Sequence, residues 1–342
     1  MKKHDRFPLQ EYGDRSVLTT WKISYEQVQS RSEEAAGLLR LWGFLDCGDL
    51  WYELVASASR IHESIKTPDW LLRLVENELE FLSSLQLLSH YSLVDAKEDA
   101  SSHSMHAVLH EWCYHLAEGG ERSMLSGIAA SIVAQMIPHD SAPEYWKLRK
   151  RLLPHASRVQ RWMDDECLQQ PDGANGWIAQ PWIYHSLGIL FVHQGKLVVA
   201  EKMDLRALQG YERAFGAEHT STLNAVNHLG SIYQDQGKLV DAEKMYLRAL
   251  QGYEKALGAE TVATYRPALN TVANLGYLYR DQAKLAEAEF MFSRALIGFQ
   301  TTLGPSHEKC QRLSSAITSL SRFQGMGNEI VGSHLELDIK LN

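Results

Sequence analysis

The sequence LGSIYQDQGKLVDAEKMYLRAL, residues 229–250, is the second of three copies of one pattern. The copies begin with Leu-Gly at Gly188, Gly230 and Gly276, so they follow one another at spacings of 42 and 46 residues. In each copy an aromatic residue follows the glycine, a Lys-Leu turn comes next, and two alanines close the pattern. Self-similarity at a period of this size is typical of a solenoid of stacked repeats.

The residue types within one copy predict two antiparallel helices joined by a turn. Val226, Leu229 and Tyr233 share one helical face, because they are spaced at i, i+3 and i+7. The glycine and the two alanines are small, so they allow the axes of the two helices to approach closely. Each copy is therefore expected to form a helix–turn–helix unit.

Two positions depart from this pattern. Gly195 and Gly237 stand where the first helix must end in a left-handed residue. The third copy has Ala283 at this position, so we expect its turn to be strained or differently built. Asp204 stands where the other two copies have an aromatic residue, and we expect the first repeat to pack less well there.

The order Leu-Gly-x2-Tyr, Ala, Tyr or Phe, Ala resembles the tetratricopeptide repeat. The long period and phrases such as QGKLVDAE, residues 236–243, resemble the kinesin-light-chain type of this repeat in particular. The resemblance implies an α-solenoid over the C-terminal half of the chain.

Composition places the chain among ordinary globular proteins. Its 342 residues suffice for two or three domains, and 45% of them are hydrophobic. A net charge of −8 argues against a nucleic-acid partner. The four cysteines lack CxxC spacing, which favours a reducing compartment, and no segment reaches transmembrane length. We therefore expect a cytoplasmic protein without a membrane partner.

The N-terminal half begins with predicted helices. A capping box at residues 30–33 precedes an apolar helical face. Thr67-Pro68 is a typical helix start, and this helix is expected to run to about Leu88. Residues 141–144 form a second capping box, and the helix that follows is expected to end after Trp162.

A change of period follows the first group of helices. Residues 91–94 and 103–105 are predicted to be the two strands of a hairpin around a polar turn. A final helix is expected from His106 to about Ala117. Helices followed by a small hairpin are the outline of a winged helix.

The predicted fold class is all-α, with a winged-helix module that carries a small β-hairpin, followed by a tetratricopeptide-repeat solenoid. The predicted division of the chain is an irregular lead-in (1–18), the winged-helix module (19–118), a helical spacer (119–170) and the repeats (177–342), whose copies occupy 178–219, 220–265 and 266–310 before a degenerate cap at 311–342.

Four segments of the N-terminal half carry a second resemblance. They are TWKISY (20–25), LLRLWGFL (38–45), DLWYEL (49–54) and SMHAVLHEWC (104–113). With the repeats behind them, they resemble the part that follows the nucleotide-binding core in fungal NLR-like proteins. These are signalling ATPases built from an effector, an NB-ARC core and tetratricopeptide repeats.

This resemblance implies a nucleotide-sensing role for one histidine. In the family a Met-His-Asp motif ends the winged helix, and its histidine contacts the bound nucleotide diphosphate. Met105 and His106 match the first two positions, but Ala107 stands where the aspartate belongs. The chain also lacks a Gly-x4-Gly-Lys-Ser/Thr phosphate loop. We therefore expect His106 to be an ordinary residue at a helix start unless an upstream segment or another chain supplies the nucleotide.

Metal and catalytic chemistry have weak support in the sequence. His106, His110 and Cys113 share one helical face, but three ligands without a CxxC partner are a poor zinc motif. No nucleophile elbow and no Cys–His pairing stand out. DNA binding by a winged helix is disfavoured because acidic residues surround the hairpin. We predict no catalytic residue, no metal and no cofactor.

The inner wall of the solenoid is the predicted functional surface. In tetratricopeptide arrays this wall is lined by the first helix of each pair, and asparagines there can hold the backbone of an extended peptide. Taking positions −6, −3, +1 and +4 from the glycine, the predicted peptide-binding residues are Trp182, His185, Asn224, Asn227, Ser231, Gln234, Asn270, Tyr277 and Arg280.

The sequence thus predicts a non-enzymatic protein–protein interaction module in NLR-like signalling, which binds a protein or peptide in the repeat groove. A chain that contains an NB-ARC core is a second possible partner. One alternative is the sensor part of an ADP/ATP-dependent switch whose phosphate loop lies upstream or in a separate chain. Another alternative is a metal-using accessory enzyme.

Overall fold

The computed structural model describes residues 15–61, 67–97, 102–138, 142–169 and 180–322. These residues form an all-α protein with one short hairpin. Contacts divide the chain into two compact units, Met1–Leu190 and Phe191–Asn342. The loop at which we expected the repeats to begin, residues 170–176, lies outside the described residues.

The first unit is built from helices of varied length with a hairpin between the fifth and the sixth. The helices are α1 (Arg15–Arg31), α2 (Glu33–Trp42), α3 (Tyr52–Ala56) with a 3-10 turn at Ser57–Arg60, α4 (Asp69–Glu76), α5 (Glu78–His90), α6 (Ala107–Leu116), α7 (Gly119–Gln135), α8 (Tyr145–Gln169) and most of α9 (Pro181–His193).

Helix α2 lies at the centre of this unit. Its N-cap is Ser32, whose hydroxyl accepts a hydrogen bond from the Ala35 amide at 3.0 Å. The predicted capping box at Ser30 was wrong, because α1 continues through Ser30. The indole of Trp70 covers Gly37, and a Cβ at Gly37 would lie 2.4 Å from that ring. A small residue at this position therefore lets α4 pack directly on α2.

Two predicted boundaries were wrong near the start of the chain. Helix α1 already begins at Arg15, so residues 15–18 are helical rather than irregular. The single helix expected up to Leu88 is two helices, because Asn77 leaves the helical region at φ −138 and caps α5 through the Leu79 amide. Leu79, in the first turn of α5, is 73% exposed.

The first strand of the hairpin lies just after the predicted residues 91–94, and the second lies within the predicted residues 103–105. Strand β1 (Asp95–Ala96) pairs antiparallel with β2 (His103–Ser104). Residues 91–94 are not a strand: Leu93 and Val94 are buried, and Ser92 has a left-handed φ of 54 that ends α5. An isolated antiparallel bridge joins Leu50 to His103 and adds a third segment beside β2.

Helix α8 holds the loop that follows α2. It continues to Gln169 instead of ending after Trp162. The guanidinium of Arg158 and the indole of Trp162 donate to the carbonyl oxygens of Gly43 and Phe44. The Asp46 amide donates to Nδ1 of His155 at 3.1 Å. The residues expected to form a spacer therefore complete the core of the first unit.

The second unit contains the repeats. Its helices are α10 (Leu197–Phe215), α11 (Thr220–Asp235), α12 (Leu239–Leu257), the short α13 (Ala259–Val262), α14 (Arg266–Asp281) and α15 (Leu285–Leu303), and residues 308–322 are also helical. Helices α11 and α12 form one antiparallel pair, and α14 and α15 form the next.

The repeat glycine allows each pair to close. A Cβ at Gly230 would lie 2.7 Å from the ring of Tyr246, and a Cβ at Gly276 would lie 2.5 Å from the ring of Phe292. Real Cβ atoms do not approach rings so closely, so only glycine fits beneath these aromatic side chains. In the second and third copies the pattern therefore specifies a closely packed helix pair.

The Lys-Leu turn connects neighbouring repeats. Lys238 and Gln236, at the turn of the second repeat, both donate to Oε2 of Glu201 on α10, at 3.2 and 2.8 Å. The same contacts recur one repeat later, where Lys284 and Gln282 donate to Glu243 on α12. The recurring Gln, Lys and Glu of the sequence pattern are thus one ladder of polar contacts.

The unequal spacing of the copies has a local cause. Gly216 leads directly into α11 through His219, which caps that helix. After the corresponding Gly258, the chain forms the four-residue helix α13 before α14 begins. The four additional residues are therefore accommodated in the connection, outside the packed helix pairs.

The turn of the third repeat is built like the other two. Gly195, Gly237 and Ala283 have φ values of 69, 75 and 60. The expectation of a differently built turn was wrong. The expectation of strain is supported, because an L-residue in the left-handed region costs about 1–2 kcal/mol.

We predict that Ala283→Gly raises the free energy of unfolding by about 1 kcal/mol, since relief of the left-handed strain exceeds the added entropy of the unfolded chain. Urea denaturation measures this. The control Ala286→Gly, at an exposed helical position of α15, is expected to lower stability by a similar amount. If Ala283→Gly has a lower free energy of unfolding than the wild type, the left-handed conformation of Ala283 is not a source of strain.

A second prediction concerns the buried imidazole of His155. Burial lowers its pKa from 6.5 to about 4. The unfolded chain gains this proton near pH 6.5, whereas the folded chain gains it only near pH 4. Stability is therefore full above pH 6.5 and falls as the pH drops through this window, by on the order of 3 kcal/mol.

Urea midpoints measured between pH 7.5 and 4.5 test this dependence. We expect His155→Gln to lower stability at neutral pH and to make the urea midpoint less dependent on pH below pH 6.5. The exposed control His90→Gln is expected to keep the pH dependence of the wild type. If the midpoint of His155→Gln falls with pH as steeply as that of the wild type, other groups cause the loss of stability in acid.

Candidate functional site

The predicted groove residues belong to both units. Trp182 and His185 lie on α9 in the first unit, where the Trp182 indole donates to Oε1 of Gln180 at 2.7 Å. The remaining predicted residues lie on α11 and α14 in the second unit. The site described below is therefore confined to the second unit.

The helical residues 308–322 extend this surface in the same register. His307 caps them by accepting from the Lys309 amide, as His219 accepts from Ser221 at the start of α11. The Cys310 thiol donates to the Gly304 carbonyl, in the place where a threonine hydroxyl contacts Gly216. The sequence pattern predicted a degenerate cap at 311–342 but not the alignment of this helix with the first helices of the repeats, although the spacing Gly-x2-His occurs at both Gly216 and Gly304.

We name this surface the A-helix face and define it by the four positions −6, −3, +1 and +4 of three successive helices. Its members are Asn224, Asn227, Ser231 and Gln234 on α11, Asn270, Ala273, Tyr277 and Arg280 on α14, and Arg312, Ser315, Ser319 and Arg322 on residues 308–322.

Each of the three asparagines of this face accepts a hydrogen bond through its side-chain oxygen, Oδ1. Oδ1 of Asn224 accepts from the Tyr253 hydroxyl at 2.6 Å, and Oδ1 of Asn227 accepts from the Asn274 amide at 3.2 Å. Oδ1 of Asn270 accepts from the Lys309 ammonium at 2.8 Å. All three side chains are half-buried. Packing therefore uses the acceptor of each carboxamide.

Tyr246 uses the oxygens of two further members. Its hydroxyl lies 3.0 Å from Oγ of Ser231 and 3.1 Å from Oε1 of Gln234. Burial raises the pKa of this phenol well above its usual value, so it remains a hydroxyl donor at physiological pH. The Gln234 amide donates to Asp281 at 2.7 Å and connects α11 to the end of α14.

A cleft of about 540 Å³ lies where α14 meets residues 308–322. Its wall includes Tyr277, Arg280, Arg312, Ser315 and Ser319, which are members of the A-helix face. The Tyr277 ring packs edge-on against the buried Phe292, with 4.8 Å between the ring centroids. The Arg280 guanidinium lies 5.2 Å from the centre of the Tyr277 ring. Packing thus holds the ring, while both arginines remain exposed.

The substituted position of the first repeat carries a polar pair. Asp204 is fully buried, and its carboxylate lies 2.8 Å from Nδ1 of His228 on α11. Burial, together with the charge of Asp204, raises the pKa of the Tyr211 phenol to about 12. The place of the aromatic ring is therefore taken by a buried carboxylate–imidazole contact.

The structure does not bring the three candidate metal ligands of the first unit together. His106 caps α6 by accepting from the Val108 amide, and its side chain is exposed. Nε2 of His110 lies within 3.0 Å of the carbonyl oxygens of Trp42 and Leu45, so it carries the proton and donates to them. Cys113 is buried, and burial raises its thiol pKa.

Within the described residues, no converging set of possible metal ligands includes any of these three side chains. His106 and His110 therefore fulfil structural roles, as a helix cap and as a link between α6 and the end of α2. This geometry gives no support to a metal site at His106, His110 and Cys113.

Comparisons with known proteins agree with the repeat pattern. Residues 180–259 and 269–308 each match a family model described as tetratricopeptide repeat. Among solved structures, the chain is similar to the crystal structure of BtubC (BKLC) from P. vanneervenii. The TM-score is 0.36 and the sequence identity 17%, over 59% of this chain and 89% of that chain. No curated protein matches the sequence.

The C-terminal part of the chain thus carries tetratricopeptide repeats, and the protein has an all-α fold. In the part of the chain that the structure describes, no helix combines the length and the apolar composition that crossing a bilayer requires.

We predict that Tyr246→Phe lowers the free energy of unfolding by about 1 kcal/mol, because Ser231 and Gln234 lose their shared donor. The reciprocal change Phe292→Tyr is expected to be at least as costly, since its hydroxyl would meet the ring of Tyr277. Thermal and urea denaturation measure both variants. An unchanged Tyr246→Phe variant means that this hydroxyl contributes no net stability.

Proposed function

We propose that this chain is a non-enzymatic interaction protein whose A-helix face binds an extended segment of a partner protein. The proposal rests on one observation, that Asn224, Asn227 and Asn270 each use the side-chain oxygen in an internal hydrogen bond. Each Oδ1 is occupied by a neighbouring donor. Within the described residues, no protein acceptor contacts the three Nδ2 groups.

This arrangement suits the recognition of a peptide backbone. A carboxamide NH2 group is a donor, and an extended peptide presents a carbonyl acceptor at every residue. Because packing fixes each asparagine through its oxygen, the donors are held in place before a ligand arrives. Such preorganisation lowers the entropy cost of binding.

The use of the asparagine oxygens in internal hydrogen bonds also suggests a specific test of the NH2 donors. In Asn224→Asp/Asn227→Asp/Asn270→Asp, each side chain keeps its size and its acceptor oxygen but loses the donor. The contacts to Tyr253, Asn274 and Lys309 are therefore retained. The matched control changes three amides to carboxylates on α10, α12 and α15, which we call the B helices because each is the second helix of its repeat. This control is Gln209→Glu/Gln251→Glu/Gln300→Glu.

A random dodecapeptide display library provides the ligands. We expect peptides selected on the wild-type protein to bind the asparagine variant at least about tenfold more weakly, and to bind the control variant normally. Equal binding to both variants places the peptide site away from the A-helix face. A selection that enriches no peptide contradicts peptide binding.

The first unit supports a place in NLR-like signalling as a finer part of the proposal. The order of its elements supports this part of the proposal, because it matches the order expected of a winged helix: α2, the bridge residue Leu50, α3 to α5, the β1–β2 hairpin and α6. On this view the first unit docks on an NB-ARC core supplied by another chain or by an upstream segment, in the cytoplasm.

The position of His106 leaves a second candidate function, nucleotide sensing in such an assembly. Its ring is exposed at the start of α6, directly after the hairpin. Calorimetric titration of the protein with Mg-ADP distinguishes the two. We expect no heat of binding from this chain alone. Binding that is lost in His106→Ala instead favours the nucleotide switch.

A further inference from the structure

The charge of the A-helix face is opposite to that of the whole chain. The chain has a net charge of −8. The positions of the A-helix face nevertheless hold three arginines, Arg280, Arg312 and Arg322, and no aspartate or glutamate. A surface whose charge opposes the average of its protein selects ligands by electrostatic complementarity.

The arginines are also unevenly distributed along the face. The members on α11 are all uncharged, those on α14 include Arg280 at the C-terminal end of that helix, and residues 308–322 contribute the other two. The face therefore changes from neutral amides at one end to guanidinium groups at the other. A ligand that matches it has an uncharged part and a charged part.

The cleft of about 540 Å³ is where two of the arginines meet. Arg280 and Arg312 line it together with the hydroxyls of Ser315 and Ser319. Guanidinium groups bind carboxylates with two parallel hydrogen bonds, and serine hydroxyls can donate one more. The donor set of the cleft is therefore that of an anion site.

The present partners of these arginines are easily exchanged. Arg280 contacts Asp281, the next residue in the chain, and Arg312 contacts Glu308, one turn earlier. The Arg312 and Glu308 side chains are 71% and 72% exposed. Exposed pairs of this kind contribute little stability, so a ligand carboxylate can replace either partner at little cost.

The alternative of a single-stranded nucleic acid has less support. Such ligands are bound by aromatic platforms on which successive bases stack. Tyr277 is the one aromatic member of the A-helix face, and its ring is already packed against Phe292.

From these observations we infer that the ligand of the A-helix face is an acidic peptide. Its uncharged part lies along the asparagines of α11, and its carboxylates lie in the cleft between Arg280 and Arg312. The inference rests on the proposed function and specifies the chemical class of the partner.

The test uses fluorescein-labelled dodecapeptides of serine, alanine and threonine that contain a block of four glutamates, four glutamines or four lysines. Fluorescence anisotropy with the full chain measures their affinities. We expect the glutamate peptide to bind at least about tenfold more tightly than the glutamine peptide, and the lysine peptide to bind most weakly. Added salt is expected to reduce the difference.

Two variants locate the charge effect. Arg280→Gln/Arg312→Gln is expected to bind the glutamate and glutamine peptides equally well. Arg213→Gln/Lys255→Gln removes the same charge from exposed B-helix positions and is expected to retain the preference. Circular dichroism melts verify that both variants remain folded.

The outcomes separate this inference from the proposed function. Equal affinity for glutamate and glutamine peptides, or preference for lysine, overturns the acidic ligand while peptide binding stands. A preference that survives in Arg280→Gln/Arg312→Gln overturns the cleft as its site. Tighter binding of labelled oligouridine than of any peptide overturns the peptide class. If no peptide binds, the inference fails, and the dodecapeptide selection decides the proposed function separately.

Discussion

The second unit depends on the contact between an aromatic ring and a glycine. Tyr246 lies over Gly230 and Phe292 lies over Gly276, at distances that leave no room for a Cβ atom. This contact fixes how closely the two helices of a repeat approach, and thereby which residues of the first helix remain at the surface. The two aromatic residues also contact members of the A-helix face, Tyr246 at Ser231 and Gln234 and Phe292 at Tyr277.

The sequence predicted the repeats well because their signals are local and recur. The glycine, the alanines and the Lys-Leu turn each stand at a fixed distance in three copies, and each has one structural role. The boundaries in the first unit were predicted less well, because single side chains decided them. Asn77 can continue a helix or cap the next one, and in the structure it caps α5.

The candidate site was predicted in part. Position counting from the glycine found the asparagines of α11 and α14, since a repeat keeps its faces in register. It did not reveal that Oδ1 is the buried end of each carboxamide, because Tyr253 and Lys309 are distant in sequence from their partners. It also missed Arg312 and Ser315, because the Leu-Gly signal is absent from their helix although its cap is retained.

The four-residue helix α13 shows which part of the array determines its dimensions. It lengthens one connection, yet α14 and α15 pack through the same glycine and aromatic ring as α11 and α12. Spacing between the helices of the A-helix face is therefore a property of the stack rather than of the contour length of the chain. The α12–α14 connection is consequently a suitable place to insert a tag or fluorophore without disturbing the A-helix face.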